Sequence, residues 1–284
     1  MPELPEVEVA ARNLRRWAVG RRVRAVEPGP SAAVVLRPAG PRALGALGGA
    51  RVTGVERVGK NLLVSLARGR AGAPVGLWSH LGMTGKWLHR KRADPAPRFS
   101  RVRFVLDDGC ALHYADMRLF GRLRVVPGAR FGEVPDLAAL GPDPLRDGVD
   151  ARRLRARLAK LRVPIKVALL DQGLLAGVGN IQASEACHRA RIDPRRPASS
   201  LAPVEVGRLA RAIVASIRYT LARFEEEGVA SDRADIAYVE EPRTPNPFLV
   251  YGRAGERCPR RDGGVIQRVV QAGRATFFCP KCQR

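Results

Sequence analysis

The apolar residues of this chain change their spacing partway along it, and that change limits what the chain can build. Before Pro127 they fall in short runs rich in β-branched side chains: Arg51–Val58, Leu62–Leu66, Val75–Ser79, Arg101–Leu106 and Arg122–Val126. Gly, Pro and Asp-Asp-Gly turns separate the runs, which is the texture of a sheet. Arg101-Val102-Arg103-Phe104 and Arg122-Leu123-Arg124-Val125 alternate basic with apolar residues, so each strand would present one basic face. From Asp150 the spacing turns helical, over Asp150–Leu161, Pro164–Asp171, Asn180–Arg191 and Pro203–Phe224. In the last of these, Val206, Leu209, Ile213, Ile217 and Leu221 share a face. A chain that segregates strands from helices in this way is an α+β multidomain protein. The expected organisation is a β-sandwich or barrel over residues 1–130 and a Pro/Gly/Asp-rich linker over 131–150. A helical domain over 151–230, a polar loop over 231–249 and a small Cys/Gly/Arg unit over 250–284 follow.

One helix precedes the strands. Residues 4–17 place Val7, Ala10, Ala11, Leu14 and Trp17 at helical spacing. Pro2 and Pro5 suit a first turn, where no backbone donor is missed. If Met1 is removed, Pro2 becomes a terminal secondary amine with Glu3 beside it. A terminal amine titrates near pH 8, far below a lysine. It can therefore act as an unprotonated nucleophile at neutral pH, and such amines form Schiff bases. Glu3 and Glu6 would also simply stabilise the positive end of the helix, and both readings stand at this point.

Fifty Lys and Arg against 27 Asp and Glu leave a net charge of +23. An excess of that size points to a polyanion, most commonly nucleic acid. Coding bias explains Arg over Lys, since only residues 60, 86, 91, 160, 166 and 281 are Lys, but it does not explain basic over acidic. No run of 18 apolar residues exists, so no membrane span is expected. The acidic, polar start is unlike a signal peptide, and a cytoplasmic, nucleoid-associated monomer is expected. Three of the five cysteines, Cys258, Cys279 and Cys282, fall in the last 27 residues, a pattern of metal binding rather than a disulfide framework. Cys110 and Cys187 stand alone and are expected to be small, semi-buried residues without a role.

Seven short strings, in order, carry a resemblance. They are Met1-Pro2-Glu3-Leu4-Pro5-Glu6-Val7-Glu8; Gly59-Lys60-Asn61-Leu62-Leu63; His80-Leu81-Gly82-Met83-Thr84-Gly85; and Asp116-Met117-Arg118-Leu119-Phe120-Gly121. Leu140–Leu145, Ala176-Gly177-Val178-Gly179-Asn180-Ile181 and Val250-Tyr251-Gly252-Arg253 follow, before the cysteine unit. Each string is weak alone. Together they resemble the formamidopyrimidine-DNA glycosylase family, base-excision enzymes for oxidised purines, along nearly the whole chain. Leu4 favours this branch over the endonuclease VIII branch, which carries Gly there.

The resemblance implies a β-sandwich with an N-terminal helix, a helix–two-turn–helix domain and a zinc-finger-like hairpin. It implies a DNA glycosylase with lyase activity, acting on double-stranded DNA that holds a damaged base or an abasic site. Pro2 would attack the sugar C1′, and Glu3 would protonate the sugar oxygen as the ring opens. Glu6 would assist, and Lys60 would hold a phosphate and exchange protons. Met83, Arg118 and Phe120 would fill the gap left by an everted nucleotide. His80 belongs to the DNA-contacting set. Asn180, at a helix start, would offer a phosphate backbone amides and the helix dipole. Lys160 and Lys166 match positions near DNA but suit surface charges equally well. Arg274 would bind phosphates and support the δ-elimination step.

Two departures stand out. The family's paired Cys-x2-Cys motif is incomplete, because Arg261 occupies the place of the second ligand. Structural zinc takes four ligands. No histidine is expected near this unit, the four being at 80, 89, 113 and 188. Either Asp262 supplies an oxygen donor or the hairpin folds with little or no metal. The second departure is the 225–249 loop, where Val229-Ala230-Ser231-Asp232-Arg233 and Thr244–Phe248 replace the family's lesion-capping segment. Base preference is expected to differ there. The alternatives are a non-catalytic or substrate-shifted lesion binder on the same scaffold, and a general basic nucleic-acid protein.

Overall fold

The computed structural model describes residues 2–69, 72–226 and 246–284. Residues 231–245 of the expected loop therefore lie outside the described residues. The described residues form two compact units. The first contains Pro2 and Glu6–Ala138; the second contains Glu3–Pro5, Ala139–Glu226 and residues 246–284.

In the first unit, helix α1 (Leu4–Ala18) leads into eight strands: β1 (Val23–Pro28), β2 (Arg51–Val58), β3 (Asn61–Arg68), β4 (Ala73–His80), β5 (Lys86–Lys91), β6 (Ser100–Leu106), β7 (Cys110–Ala115) and β8 (Arg122–Pro127). They make two antiparallel four-stranded sheets, ordered β1-β6-β7-β5 and β2-β3-β4-β8. Val55, Val64 and Leu77 of one sheet and Phe104, Leu106 and Leu112 of the other line a small cavity with Leu14 of α1. The unit is thus a sandwich with its helix at the core. Strand β3 buries Leu62, Leu63, Val64 and Leu66, so both its faces are covered. Leu63 looks away from the sandwich core and packs with Trp78, Val126 and Val134. A 3₁₀ turn at Phe131–Glu133 and the short helix α3 (Pro135–Ala138) bring Val134 there. The first half of the stretch expected as a linker is therefore covering structure on the outer sheet. Helix α2 (Ala32–Val35) is a single turn.

Three of the eight strands were not foreseen. Strand β1 is mostly exposed, β5 is flanked by lysines, and β7 is buried along nearly its whole length. Each gives too little alternation to stand out.

The second unit contains α4 (Ala151–Leu158), α5 (Ile165–Ala168), α6 (Asn180–Ala190), α7 (Pro203–Glu226) and the hairpin β9 (Gln267–Gln271) and β10 (Arg274–Phe278). The helix expected over Pro164–Asp171 is only one turn, because Pro164 caps it and Leu169–Asp171 turn away. Helices α6 and α7 bury a polar bridge as well as apolar faces. Gln182 donates to the Thr220 hydroxyl at 3.0 Å and accepts from the Ser216 hydroxyl at 2.7 Å. The buried Glu185 carboxylate accepts backbone amides of Leu249 (3.0 Å), Val250 (2.8 Å) and Tyr251 (3.0 Å), which ties residues 249–251 to α6. In the hairpin, Ala272 and Gly273 both have positive φ, 46° and 72°, as a two-residue type I′ turn requires.

Candidate active site and metal centre

In the second unit the candidate residues converge on the start of α6. Glu3 is buried there, its carboxylate accepting from the amides of Ile181 (2.8 Å) and Gln182 (3.0 Å). These donors have no partner within the helix, and the positive helix end favours a carboxylate. The local sequence makes room for this. A Cβ at Gly179 would overlap the Glu3 carboxyl group, and one at Gly177, where φ is +91°, would come 2.8 Å from Leu4. The Leu4 amide donates to the Gly177 carbonyl at 3.1 Å. The two glycines of the Ala176–Ile181 string thus serve the N-terminal segment. This corrects the expectation for Asn180: two of the amides expected to meet a phosphate are given to Glu3.

Asn180 has a different role in the geometry. Its side-chain amide donates to the Ala275 carbonyl (2.9 Å) and the Tyr251 hydroxyl (3.2 Å), and its oxygen accepts from the Lys166 ammonium. Lys166 is wholly buried, so it is not a surface charge. Burial, aided by the positive charge of Arg274, lowers its pKa to about 8. Arg274 itself is exposed at the first position of β10, and Lys160 is exposed beyond the end of α4. Cys187 is wholly buried, and burial pushes its thiol up to about 12. The sequence singles out the string Val250–Arg253 but gives no role to Tyr251, whose position depends on Glu185.

In the first unit two loops lock together. The buried Asp116 accepts from the Thr84 hydroxyl (2.5 Å) and from the amides of Arg118 (3.2 Å) and Gly121 (2.7 Å). The Thr84 hydroxyl also accepts the Arg118 amide at 3.0 Å, and Tyr114 donates to the His80 carbonyl at 3.0 Å. A Cβ at Gly82, where φ is +60°, would come 2.5 Å from the Gly121 amide, and one at Gly121 would overlap the Tyr114 hydroxyl. This bracing holds up an exposed tip. Phe120 is 56% exposed and Met117 is 54% exposed, with the Arg118 guanidinium 5.1 Å over the Phe120 ring. Met83 is half-buried on the neighbouring loop.

Lys60 sits in the two-residue turn joining β2 and β3, with Gly59 at φ of +57° before it. His80, at the end of β4, has a pKa lowered to about 4, first by burial and then by the charges of Lys60 and Arg122. Its Nδ1 accepts the Gly82 amide at 3.0 Å, as a neutral ring requires. Pro2 and Glu6 are both buried.

The cysteine unit holds a complete donor set. One ligand atom each from Cys258, Asp262, Cys279 and Cys282 lie within 4.8 Å of one another. The Cys258 and Cys282 sulfurs are 3.9 Å apart, and the Asp262 Oδ2 is 3.5 Å from the Cys279 sulfur. Tetrahedral zinc with thiolate bonds of about 2.3 Å needs ligand separations of roughly 3.8 Å. The residues fit the ion, with Asp262 in the role the missing cysteine would have had. One expectation is corrected here: a histidine does lie near. His188, from α6, brings its Nε2 to 3.7 Å from the Cys258 sulfur.

A sandwich led by a Pro-Glu dipeptide, a helical unit built on a Gly-x-Gly-Asn turn and a zinc-type hairpin are the marks of a modular, nucleic-acid-directed protein class. The comparisons agree in all three parts. Residues 1–123 match the formamidopyrimidine-DNA glycosylase N-terminal domain, 140–230 match the H2TH domain of that enzyme, and 255–284 match the zinc finger found in FPG and IleRS. The chain belongs to the formamidopyrimidine-DNA glycosylase family. It is 40% identical to the formamidopyrimidine-DNA glycosylase of Laribacter hongkongensis, with both chains covered completely. It is 42% identical to that of Thermus thermophilus, with this chain covered completely and the relative to 98%. Among solved structures it is similar to the Lactococcus lactis enzyme bound to abasic-site DNA, at a TM-score of 0.83 and 30% identity over 99% of each chain. It is similarly close to the complex of that enzyme with N7-benzyl-Fapy-dG DNA, at a TM-score of 0.84 and 30% identity over 100% of each chain. No helix among the described residues is long and apolar enough to cross a membrane.

Proposed function

We propose that this protein is a DNA glycosylase for oxidised bases, purines foremost, that also cleaves the strand at the resulting abasic site. The observation that carries the proposal is the Pro2–Glu3 pair: a buried proline at the N-terminal tip, followed by a buried carboxylate seated on two backbone amides. Once Met1 is removed, Pro2 carries a secondary amine. A terminal amine titrates near pH 8, far below a lysine, so part of it is neutral and nucleophilic at neutral pH. Its nitrogen lone pair attacks C1′ of the damaged nucleotide, the C1′–N bond to the base breaks, and the base leaves with a proton. Glu3, seated as a carboxylate, takes the proton that the Pro2 nitrogen sheds on bonding to C1′ and passes it to the sugar ring oxygen as the ring opens and the Schiff base forms. The iminium withdraws electrons from C2′. Loss of a C2′ proton then expels the 3′ phosphate (β-elimination), and a second elimination expels the 5′ phosphate.

The remaining residues support this reading by type and placement. Lys60 and Arg274 are cations of the kind that hold phosphates, while Lys166, buried against Asn180, steadies the start of α6. Met83, Arg118 and Phe120 present apolar and guanidinium surface at braced loops, suited to filling the stack beside an everted nucleotide. The zinc group would stiffen the hairpin that carries Arg274. The test is borohydride trapping on a duplex with one abasic site. The processed wild type should form a covalent adduct, and Pro2→Gly should slow adduct formation by at least about 100-fold while DNA affinity stays within a few-fold. Equal loss of affinity and chemistry would refute the nucleophile. No adduct from processed wild type that still binds lesions would favour the lesion-binder reading.

A further inference from the structure

We propose that His188 is a positioning residue for the metal centre: its Nε2–H donates a hydrogen bond to the Cys258 thiolate and so ties the zinc-type hairpin to helix α6. This rests on reading Cys258, Asp262, Cys279 and Cys282 as the zinc ligands. Three thiolates, one carboxylate and a divalent zinc leave that group with two net negative charges, most of it out of solvent. Excess charge in such a place needs donors aimed at it. His188 is buried and its Nε2 lies 3.7 Å from the Cys258 sulfur, a normal length for a hydrogen bond to sulfur. Its other ring nitrogen, Nδ1, is buried without a partner among the described residues. A metal-bound thiolate can only accept, so the proton belongs on Nε2, the one ring nitrogen with a partner.

The placement on α6 gives the contact a second meaning. The same helix carries Asn180, hydrogen-bonded to the Ala275 carbonyl of β10, and Glu185, which holds residues 249–251. Arg260, two residues from Cys258, donates to the carbonyls of His188 and Arg189 at 3.2 Å and closes the last turn of α6. The hairpin is therefore tied to α6 at both ends of the helix, and His188 is the link that touches a metal ligand. Asp262 is the fourth ligand in this arrangement, with Oδ1 engaged by the Gly264 amide at 2.8 Å and Oδ2 turned to the cysteines. His188 is the donor behind the ligand shell.

The experiment uses the full chain loaded with zinc or cobalt(II). Zinc affinity is read by competition with a chromophoric chelator, and the ligand set by cobalt absorption. Wild type should bind one metal per chain with tetrahedral cobalt bands. His188→Ala should lower zinc affinity by about tenfold or more. Its cobalt d–d bands should stay tetrahedral, while the sulfur-to-cobalt charge-transfer band moves to longer wavelength, because a thiolate that loses a hydrogen bond gives up its electrons more easily. His188→Gln, which keeps an N–H donor, should recover most of the affinity. Unchanged affinity and band position in His188→Ala would overturn the proposal. So would loss of the tetrahedral bands in His188→Ala with their retention in Asp262→Ala, since His188 would then be a ligand itself. Wild type that binds no metal would instead sink the zinc reading on which the proposal depends.

Discussion

Single residues at the start of α6 fix how the Glu3 carboxylate is held. Gly179 is not in a conformation that demands glycine, since its φ is −128°. It is glycine because any side chain there would displace the Glu3 carboxylate. Gly179→Ala is therefore expected to cost about 1–3 kcal/mol in stability, as overpacking does, and to reduce turnover more than DNA affinity; parallel urea melts and single-turnover assays measure both. Lys166 offers a pH test. Its folded pKa of about 8 lies below the ordinary 10.5. The unfolded chain thus holds more protons between those values, and stability rises with pH across that window. Below about pH 8 the full cost of keeping the charge buried is present. Denaturation of wild type against Lys166→Met from about pH 7 to 10.5 should show the wild type gaining on the variant, and a constant difference would contradict the assignment.

Elements decide how those residues are presented. Helix α6 is the organising element of the second unit, with Glu3 and Asn180 at its start, Glu185 in the middle and His188 near its end. Glu185→Ala would leave three backbone amides, those of Leu249, Val250 and Tyr251, without their acceptor. A loss of about 2–4 kcal/mol is expected by chemical denaturation, with hydrogen exchange rising first at 249–251; Glu185→Gln, which keeps one acceptor oxygen, should lose less. The long elements were legible in advance because their periodicity is a property of the sequence itself. Helix α1 and strand β2 were read within a residue of their observed ends. Strands β1, β5 and β7 were not seen, because strands without a clean alternation take their stability from neighbours rather than from their own pattern. The single turn α5 was expected to be longer, since Pro164 marks a helix start but nothing local says how far a helix runs.

At the scale of the molecule, charge dominates. A net charge of +23 and exposed cations such as Lys160 and Arg274 suit a polyanionic partner. Arg274→Ala is expected to weaken binding to every DNA sequence alike and to reduce the slope of log K against log salt by about 0.9, the share of one phosphate contact. Titrations at several salt concentrations measure this directly, and an unchanged slope would remove Arg274 from the phosphate-binding set. The family was legible at this scale too, because its short strings keep their order from Met1 to Cys282. The stabilising group at Asp262 was legible only as one of two possibilities, since spacing alone does not show whether a carboxylate reaches three sulfurs.

The sequence by itself determined the kinds of element, their order, the sign of the surface and the residue types able to do chemistry, all of which follow from local spacing and composition. The tertiary structure decided the partners. Glu3 meets an amide 178 positions away, Lys166 is buried against Asn180, and His188 reaches Cys258 across 70 positions. Periodicity tells which face of an element is apolar, but which groups meet across such separations is settled only when the chain closes and every buried donor must find an acceptor.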